Sequence, residues 1–165
     1  MDKAKFKFKK TYIIIAISVL AVVSLLIVVT KIVFPEFQKS CHQMWCMENM
    51  SLLRYPLVQY AQDNAGQYPV NIGWCDFALS QDTGIETLKC KVAKEGPSTY
   101  AMNRYVTDKE AKLPGDMVLL FESKPGWNQV GGPEMLNTEN HQGEGCTILF
   151  VDGHVEFVKT EELEN

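Results

Sequence analysis

Acidic residues are missing from the first part of the sequence, where none occurs between Asp2 and Glu36. Charge of either sign is almost missing from Tyr12 to Phe34, because Lys31 is the one charged residue in that run. As a helix these residues would extend about 35 Å, which exceeds the roughly 30 Å hydrocarbon core of a membrane. A bilayer offers no partners to backbone polar groups, so residues 12–34 are predicted to form a transmembrane helix.

The sequence also lacks the features by which such a segment is removed. A secretory signal peptide has an apolar core of about 7–15 residues and then a small-x-small cleavage site, and the run from Lys31 to Glu36 contains no such site. Cys41 follows Gln38-Lys39-Ser40 rather than the apolar and small residues of a lipoprotein signal. We therefore predict an uncleaved anchor.

Positive charge is concentrated in the eleven residues before the apolar run. Basic flanks remain in the cytoplasm, which predicts a cytoplasmic tail at residues 1–11 and an extracytoplasmic domain at residues 35–165. The chain is then a single-pass protein of the inner (cytoplasmic) membrane, with a periplasmic domain. The basic residues of the tail are Lys3, Lys5, Lys7, Lys9 and Lys10.

Several functional classes lack support in the sequence. After Phe34 there are ten basic and nineteen acidic residues, a balance that disfavours binding to nucleic acid phosphates. No nucleophile motif, Gly-rich phosphate loop or Cys-x-x-Cys-His haem motif occurs. We predict no enzymatic activity and no cofactor. The expected partners are the membrane and other envelope or secretion-assembly proteins, with a homo-oligomer as a further possibility.

Five cysteines occur, all after the apolar run, where disulfides can persist outside the cytoplasm. An odd number leaves at least one thiol free or paired between chains. Cys41 and Cys46 are too far apart to bridge if they lie on one helix. The favoured disulfide joins Cys75 and Cys90, since it closes a short loop.

A helical pattern follows the anchor, with apolar residues at steps of three and four that predict one buried face of an amphipathic helix. Pro56 falls inside this pattern and is expected to kink the helix. Asn64-Ala65-Gly66 is typical of a glycine C-cap, and Trp74 to Leu79 suits one short helix. The predicted buried face comprises Cys46, Met50, Leu53, Leu57 and Tyr60 or Ala61.

The C-terminal third predicts antiparallel strands. Met117 to Glu122 has the composition of a buried strand, and Asp152-Gly153 between two apolar runs predicts a two-residue hairpin turn. That turn would pair Phe150 with Val155, which assigns side chains to alternate faces. The fold class is then α+β, a long helix packed by a small antiparallel sheet. The predicted core face comprises Ile148, Phe150, Val155 and Phe157, and the outer face Thr147, Leu149, Val151, His154, Glu156 and Val158.

Three stretches carry a resemblance to a known family. Residues 46–69 include Cys46-Met47-Glu48-Asn49-Met50 and end in Tyr60-Ala61-Gln62-Asp63-Asn64-Ala65-Gly66-Gln67-Tyr68-Pro69, residues 98–103 read Ser-Thr-Tyr-Ala-Met-Asn, and residues 141–155 begin at His141 and include Asp152-Gly153. Together they resemble the pseudopilin-like family with a C-terminal His-x9-Asp-Gly motif, related to type IV pilins and type II secretion pseudopilins, although ten residues separate His141 from Asp152 here. The resemblance implies a pilin-like fold over residues 37–158.

The N-terminus departs from that family. Prepilins carry Gly before their cleavage point and Glu at the fifth mature position, and the run from Lys10 to Ala16 has neither. We therefore expect no prepilin processing, and a membrane-fixed monomer or an assembly component rather than a filament subunit. The leading hypothesis is a structural or protein-interaction role in the cell envelope.

The histidines motivate an alternative hypothesis. His141, Asp152 and His154, with Gly153 in the turn between the last two, could converge as a binding site, which would make the domain metal-binding or enzymatic. Asp152-Gly153 also has a sufficient explanation as turn residues. A sulfur-rich run from Cys41 to Met50 offers soft ligands for Cu(I), although methionines in such a stripe are more often core filling.

Overall fold

The computed structural model describes residues 3–70, 72–93, 95–107 and 113–163, with side chains from residue 12 onward. Helix α1 spans Lys3–Val28, a π-helical turn spans Val29–Val33, and helix α2 spans Phe34–Asp63. Pro35 accounts for the π turn, since a proline ring clashes with the carbonyl four residues earlier and a π turn changes that spacing. The Phe34 N–H accordingly bonds to the Val29 carbonyl, five residues back. The chain divides into two compact units, Met1–Ser40 and Cys41–Asn165.

Within the first unit, residues 12–34 are apolar and exposed. Every side chain from Tyr12 to Phe34 is exposed, and the mean hydropathy of the best window reaches 3.1. The hydroxyls of Ser18, Ser24 and Thr30 donate to carbonyls of their own helix, so these polar groups are satisfied without water. Within the described residues, the chain has one helix long and apolar enough to cross a membrane.

The second unit begins inside α2, and its helix buries the face that the periodicity predicts. Pro56 lies within the helix, which continues past it to Asp63. Ala65 and Gly66 then adopt left-handed φ angles of 56° and 84°, and the Gly66 N–H caps the Ala61 carbonyl at 2.7 Å. The prediction of this face and of its glycine cap is confirmed. The buried residues are Cys46, Met50, Leu53, Leu57 and Ala61.

A five-stranded mixed sheet packs against α2. Its strands are β1 Tyr100–Asn103, β2 Val118–Glu122, β3 Val130–Gly131, β4 Gly145–Phe150 and β5 Val155–Lys159. Their spatial order is β3-β1-β2-β4-β5. Neighbouring strands are antiparallel except that β1 and β3 run parallel. The predicted short helix at residue 74 and the predicted strand ending at Glu122 are both present, whereas β1 and β3 had no alternating pattern to predict them. Two short helices complete this unit, α3 Trp74–Ser80 and α4 Thr160–Leu163.

The sheet carries apolar side chains on both faces. On the α2 face, Met102, Leu120 and Leu149 pack with the helix stripe in the main core. On the other face, Phe121 and Ile148 form a second cluster that Leu136 and Leu163 help to cover. The predicted α+β class is confirmed: a long N-terminal helix packs against a small sheet, a layout consistent with that of pilins.

The predicted hairpin register is wrong by one residue. Leu149, not Phe150, pairs with Val155, and Thr147 pairs with Phe157. The turn is longer than two residues, because the Gly153 N–H bonds to the Phe150 carbonyl and Gly153 occupies a left-handed bulge position at φ 91°.

A one-residue shift of register changes which side chains of the two paired strands lie on the same face of the sheet. The four residues assigned to one core face are therefore split: Val155 packs into the main core, whereas Ile148 and Phe150 belong to the second cluster. Thr147 and Leu149, assigned to the outer face, are fully buried.

Candidate metal centre

Four ionisable side chains from four separate segments meet inside the second unit. They belong to Cys46, Cys90, Glu122 and His141, and their donor atoms all lie within 4.8 Å of one another. The two cysteines and the glutamate are 0% exposed and the histidine is 5% exposed. Buried ionisable groups are costly unless they are paired or bound to a metal, so this cluster requires a physical explanation.

The two thiols are placed by different parts of the fold. Cys46 is the first buried residue of the α2 stripe. Cys90 follows a 3₁₀ turn at Ile85–Leu88, and its N–H donates to Thr99 Oγ1 at 2.7 Å. The Thr99 N–H in turn donates to the Leu88 carbonyl at 3.1 Å, which holds this loop against the start of β1.

The sheet and the loop before β4 supply the other two groups. Glu122 ends β2 opposite Tyr100, and its carbonyl accepts the Asn137 N–H at 3.0 Å. Strand alternation places its carboxylate on the same face as Leu120, toward α2. His141 ends a 3₁₀ turn at Glu139–His141, and its ring packs edge-on against Phe157 with centroids 5.1 Å apart.

One ring nitrogen lies at the centre of the contacts. His141 Nε2 is 3.0 Å from Glu122 Oε1 and 3.5 Å from Cys90 Sγ. The other carboxylate oxygen, Glu122 Oε2, is buried and has no hydrogen-bond partner among the described residues. A single N–H at His141 Nε2 cannot donate fully to both Glu122 Oε1 and Cys90 Sγ. Glu122 Oε2 receives no hydrogen bond from the described residues.

The contacts within the cluster shift the pKa values of three of its members. Burial alone would lower the pKa of His141, but its contacts with Cys90 and Glu122 outweigh burial and raise that pKa to about 10. Hydrogen bonds from Cys46 and then from His141 lower the pKa of the Cys90 thiol, while the same bond to Cys90 raises the pKa of Cys46. Cys90 is therefore the more acidic of the two thiols.

The remaining cysteines lie apart from this donor set. All five cysteines are free thiols in the structure, so the predicted Cys75–Cys90 bridge is not formed. The buried Cys75 thiol instead accepts the Asn128 N–H at 3.4 Å. Burial raises the pKa of Cys75 to about 11 and that of Cys146 to about 12, which describes two unreactive core thiols.

The structure does not bring together all the residues of the predicted His-Asp-His site. Asp152 and His154 are exposed in the β4–β5 turn. There the Asp152 carboxylate accepts a hydrogen bond from the His154 backbone N–H at 3.0 Å, and it also pairs with the His154 ring nitrogen Nδ1. The Gly153 carbonyl accepts a bond from Arg54 of α2 at 3.1 Å. This turn is thus held by its own hydrogen bonds, and His141 belongs to the buried cluster instead.

Sequence reasoning identified one member of the cluster as a site residue and missed three. Cys46 was assigned to the core stripe, and Cys90 to a disulfide. Glu122 was the available signal, because an acid two positions after Leu120 on a buried strand takes a core-facing position. The spacing of the four residues in the sequence gave no signal, since successive members are separated by 44, 32 and 19 positions, which match no metal motif.

No protein-family model, no curated protein and no solved structure matches this chain.

Proposed function

We propose that this chain is a membrane-anchored, pilin-like extracytoplasmic protein with a structural or protein-interaction role in the cell envelope. The observation that carries the proposal is the change in burial along the N-terminal helices. From Tyr12 to Phe34 all side chains are exposed and nearly all are apolar, whereas from Cys46 to Ala61 an apolar stripe is buried in a folded domain. A helix that is apolar on every side suits lipid, and a helix with one apolar stripe suits a protein core.

The distribution of charge supports one orientation in the inner membrane. Five lysines precede Tyr12, and cytoplasmic flanks are enriched in such residues. The tail then remains in the cytoplasm, and the acidic domain is extracytoplasmic. The layout of helix and sheet, together with the sequence stretches that begin at Cys46 and His141, supports membership of the pseudopilin-like group related to type IV pilins and type II secretion pseudopilins.

The exposed side of α2 supports an interaction role. Met44, Leu52 and Tyr55 are 65%, 48% and 63% exposed, although they flank the buried stripe of the same helix. Exposed apolar side chains are a feature of surfaces that contact partners. The proposed partners are other envelope or secretion-assembly proteins, or a second copy of this chain, and the proposed role is not catalytic.

Reporter fusions and fractionation test the anchor and its orientation. The full chain is expressed in a Gram-negative bacterium with alkaline phosphatase or a fluorescent protein fused after residue 165. We expect phosphatase activity, a dark fluorescent fusion and recovery in the inner-membrane fraction. A chain starting at residue 41, fused to the same reporters without a signal sequence, is the control and should remain in the cytosol. Recovery of the intact full chain in the cytosol without detergent would overturn the proposal.

Purification in a mild detergent tests the interaction role. The native chain should elute with stable partners or as an oligomer when it is extracted from membranes. The double variant Leu52→Ser/Tyr55→Ser should lose these associations, whereas Ser80→Ala/Gln81→Ala, at exposed positions at the end of α3, should keep them. A monomer without partners in all three preparations would contradict an interaction role.

A further inference from the structure

We propose that Cys46, Cys90, Glu122 and His141 bind one Zn²⁺ ion in a closed, four-coordinate structural site that joins α2 to the sheet. The proposal concerns the second unit alone and is independent of the membrane anchor. It rests on three observations: the distances between donor atoms, an unsatisfied buried oxygen and the chemical types of the donors.

The two distances from His141 Nε2 fit a tetrahedral ion at the centre of the cluster. With Zn–S near 2.3 Å, Zn–N near 2.05 Å and the tetrahedral angle, a sulfur and a nitrogen ligand lie about 3.6 Å apart. Cys90 Sγ and His141 Nε2 are 3.5 Å apart. The same calculation puts a nitrogen and a carboxylate oxygen about 3.3 Å apart, and His141 Nε2 and Glu122 Oε1 are 3.0 Å apart. Two sulfur ligands would be about 3.8 Å apart, within the 4.8 Å limit that all four donors meet.

The hydrogen bonds of the cluster are incomplete without an ion. Glu122 is 0% exposed and its Oε2 has no partner among the described residues, so hydrogen bonds compensate the buried carboxylate only at Oε1. His141 Nε2 faces two acceptors at once, as expected of a nitrogen that shares a ligand sphere with them rather than donating one hydrogen. A divalent cation would neutralise the carboxylate and thiolates that the core otherwise encloses.

The donor types select zinc among common ions. Two thiolates and an imidazole exclude Mg²⁺ and Ca²⁺, which take oxygen ligands. Cu(I) selects sulfur ligands, and iron–sulfur clusters are held mainly by cysteines, so a carboxylate fits both poorly. Zn²⁺ accepts sulfur, nitrogen and oxygen together in four-coordinate sites.

The burial of all four donors indicates a structural rather than a catalytic ion. Catalytic zinc sites keep one position for water or substrate, whereas here four protein donors fill the tetrahedron and at most 5% of any donor residue is exposed. The ion would connect α2, the loop at Cys90, the end of β2 and the loop before β4. Because an unfolded chain has no preformed site, binding would stabilise the folded domain.

Elemental analysis of the full chain tests the proposal. The protein is purified in detergent under reducing conditions, without chelators, from cells grown with added zinc. We expect one equivalent of zinc per chain, falling to background in Cys46→Ser, Cys90→Ser and His141→Gln. The matched controls are the other buried thiols: Cys75→Ser and Cys146→Ser should keep the full equivalent. Zinc retained in the Cys46→Ser/Cys90→Ser double variant would overturn the site.

Cobalt substitution tests the site in the native sequence, so that a variant that fails to fold does not decide the outcome. Zinc is removed with a chelator and Co²⁺ is added. We expect the intense visible bands of tetrahedral Co²⁺ and a thiolate-to-metal charge-transfer band, together with a higher thermal midpoint than the metal-free chain. Weak octahedral bands would overturn the proposal. So would a native chain that, purified without reductant or chelator, is metal-free and has Cys46 and Cys90 joined by a disulfide in peptide mapping.

Discussion

Two stretches of the N-terminal helices contain the same kinds of apolar residue in different environments. Between Tyr12 and Val33 leucine, isoleucine and valine occur on every side and all are exposed. Between Cys46 and Ala61 apolar residues recur at steps of three and four, and that face alone is buried. The comparison teaches that the angular distribution of apolar side chains, more than their number, indicates whether lipid or a protein core surrounds a helix.

Charge introduced into the first stretch should have the largest effect. Leu20 and Val23 are 68% and 46% exposed, and Leu20→Arg/Val23→Arg should make membrane insertion roughly 5–7 kcal/mol less favourable, at about 2.5–3.5 kcal/mol for each arginine near a helix centre. The fraction resisting alkaline carbonate extraction should fall sharply. Leu52→Arg/Tyr55→Arg changes exposed apolar residues of α2 and should leave extraction unchanged. Equal loss in both variants would contradict the distinction between the stretches.

The second test compares adjacent leucines of α2. Leu53 is 0% exposed and Leu52 is 48% exposed. Leu53→Ala leaves a cavity in the main core and should lower the free energy of unfolding by about 2–5 kcal/mol. Leu52→Ala should change it by less than about 0.5 kcal/mol. Urea titrations of the full chain in detergent, followed by near-UV circular dichroism, measure both, and similar midpoints would show that the stripe is not buried.

The third test concerns the hairpin turn that contacts α2. Gly153 has φ 91°, and an added Cβ would lie 2.7 Å from the Arg54 side chain. Gly153→Ala should cost roughly 1–2 kcal/mol, the cost of a left-handed conformation with a Cβ. Gly84 has φ −62° and open space around it, so Gly84→Ala should be neutral or stabilise by up to about 1 kcal/mol. The same urea titrations distinguish the two, and equal midpoints would contradict the observed turn.

The smallest expected effect is a pH dependence at that turn. The His154 N–H and then its ring hold the pKa of Asp152 below its usual range. A lowered folded-state pKa contributes stability above the unfolded value of about 3.9, and this is lost as the pH falls through the folded value. Between pH 6 and pH 3, the native chain should lose slightly more stability than Asp152→Asn. Parallel urea midpoints at every pH would show that Asp152 makes no such contribution.

Prediction succeeded where local periodicity carried the information. The stripe from Cys46 to Ala61, the cap at Gly66 and the strand ending at Glu122 follow from residue spacing and from glycine's backbone freedom. Prediction failed at the hairpin register, because Asp152-Gly153 is compatible with a two-residue turn and with a longer turn that places Gly153 in a bulge. In the fold the longer turn makes two hydrogen bonds to other segments: the Gly153 carbonyl accepts one from Arg54, and the Asp152 N–H donates one to the Gly115 carbonyl.

The cluster shows the same limit for function. Cys46 was correctly placed in the core, and His141 was predicted as a site residue together with Asp152 and His154. Local spacing gave no indication that Cys46 and His141 would meet Cys90 and Glu122. A metal motif can be recognised when its ligands are local in sequence, whereas successive members of this cluster are 19 to 44 positions apart. Sheet register and helix docking bring them together.

By itself the sequence determined a charge-poor run long enough to cross a bilayer, an amphipathic helix after it and an antiparallel hairpin near the end, because each depends on residues that are neighbours in the chain. Tertiary structure alone decided the five-strand order, the faces of β4 and β5 and the buried cluster of thiols, carboxylate and imidazole. Those features depend on how side chains from segments distant in sequence pack together in one core, and residue spacing within a segment does not determine that packing.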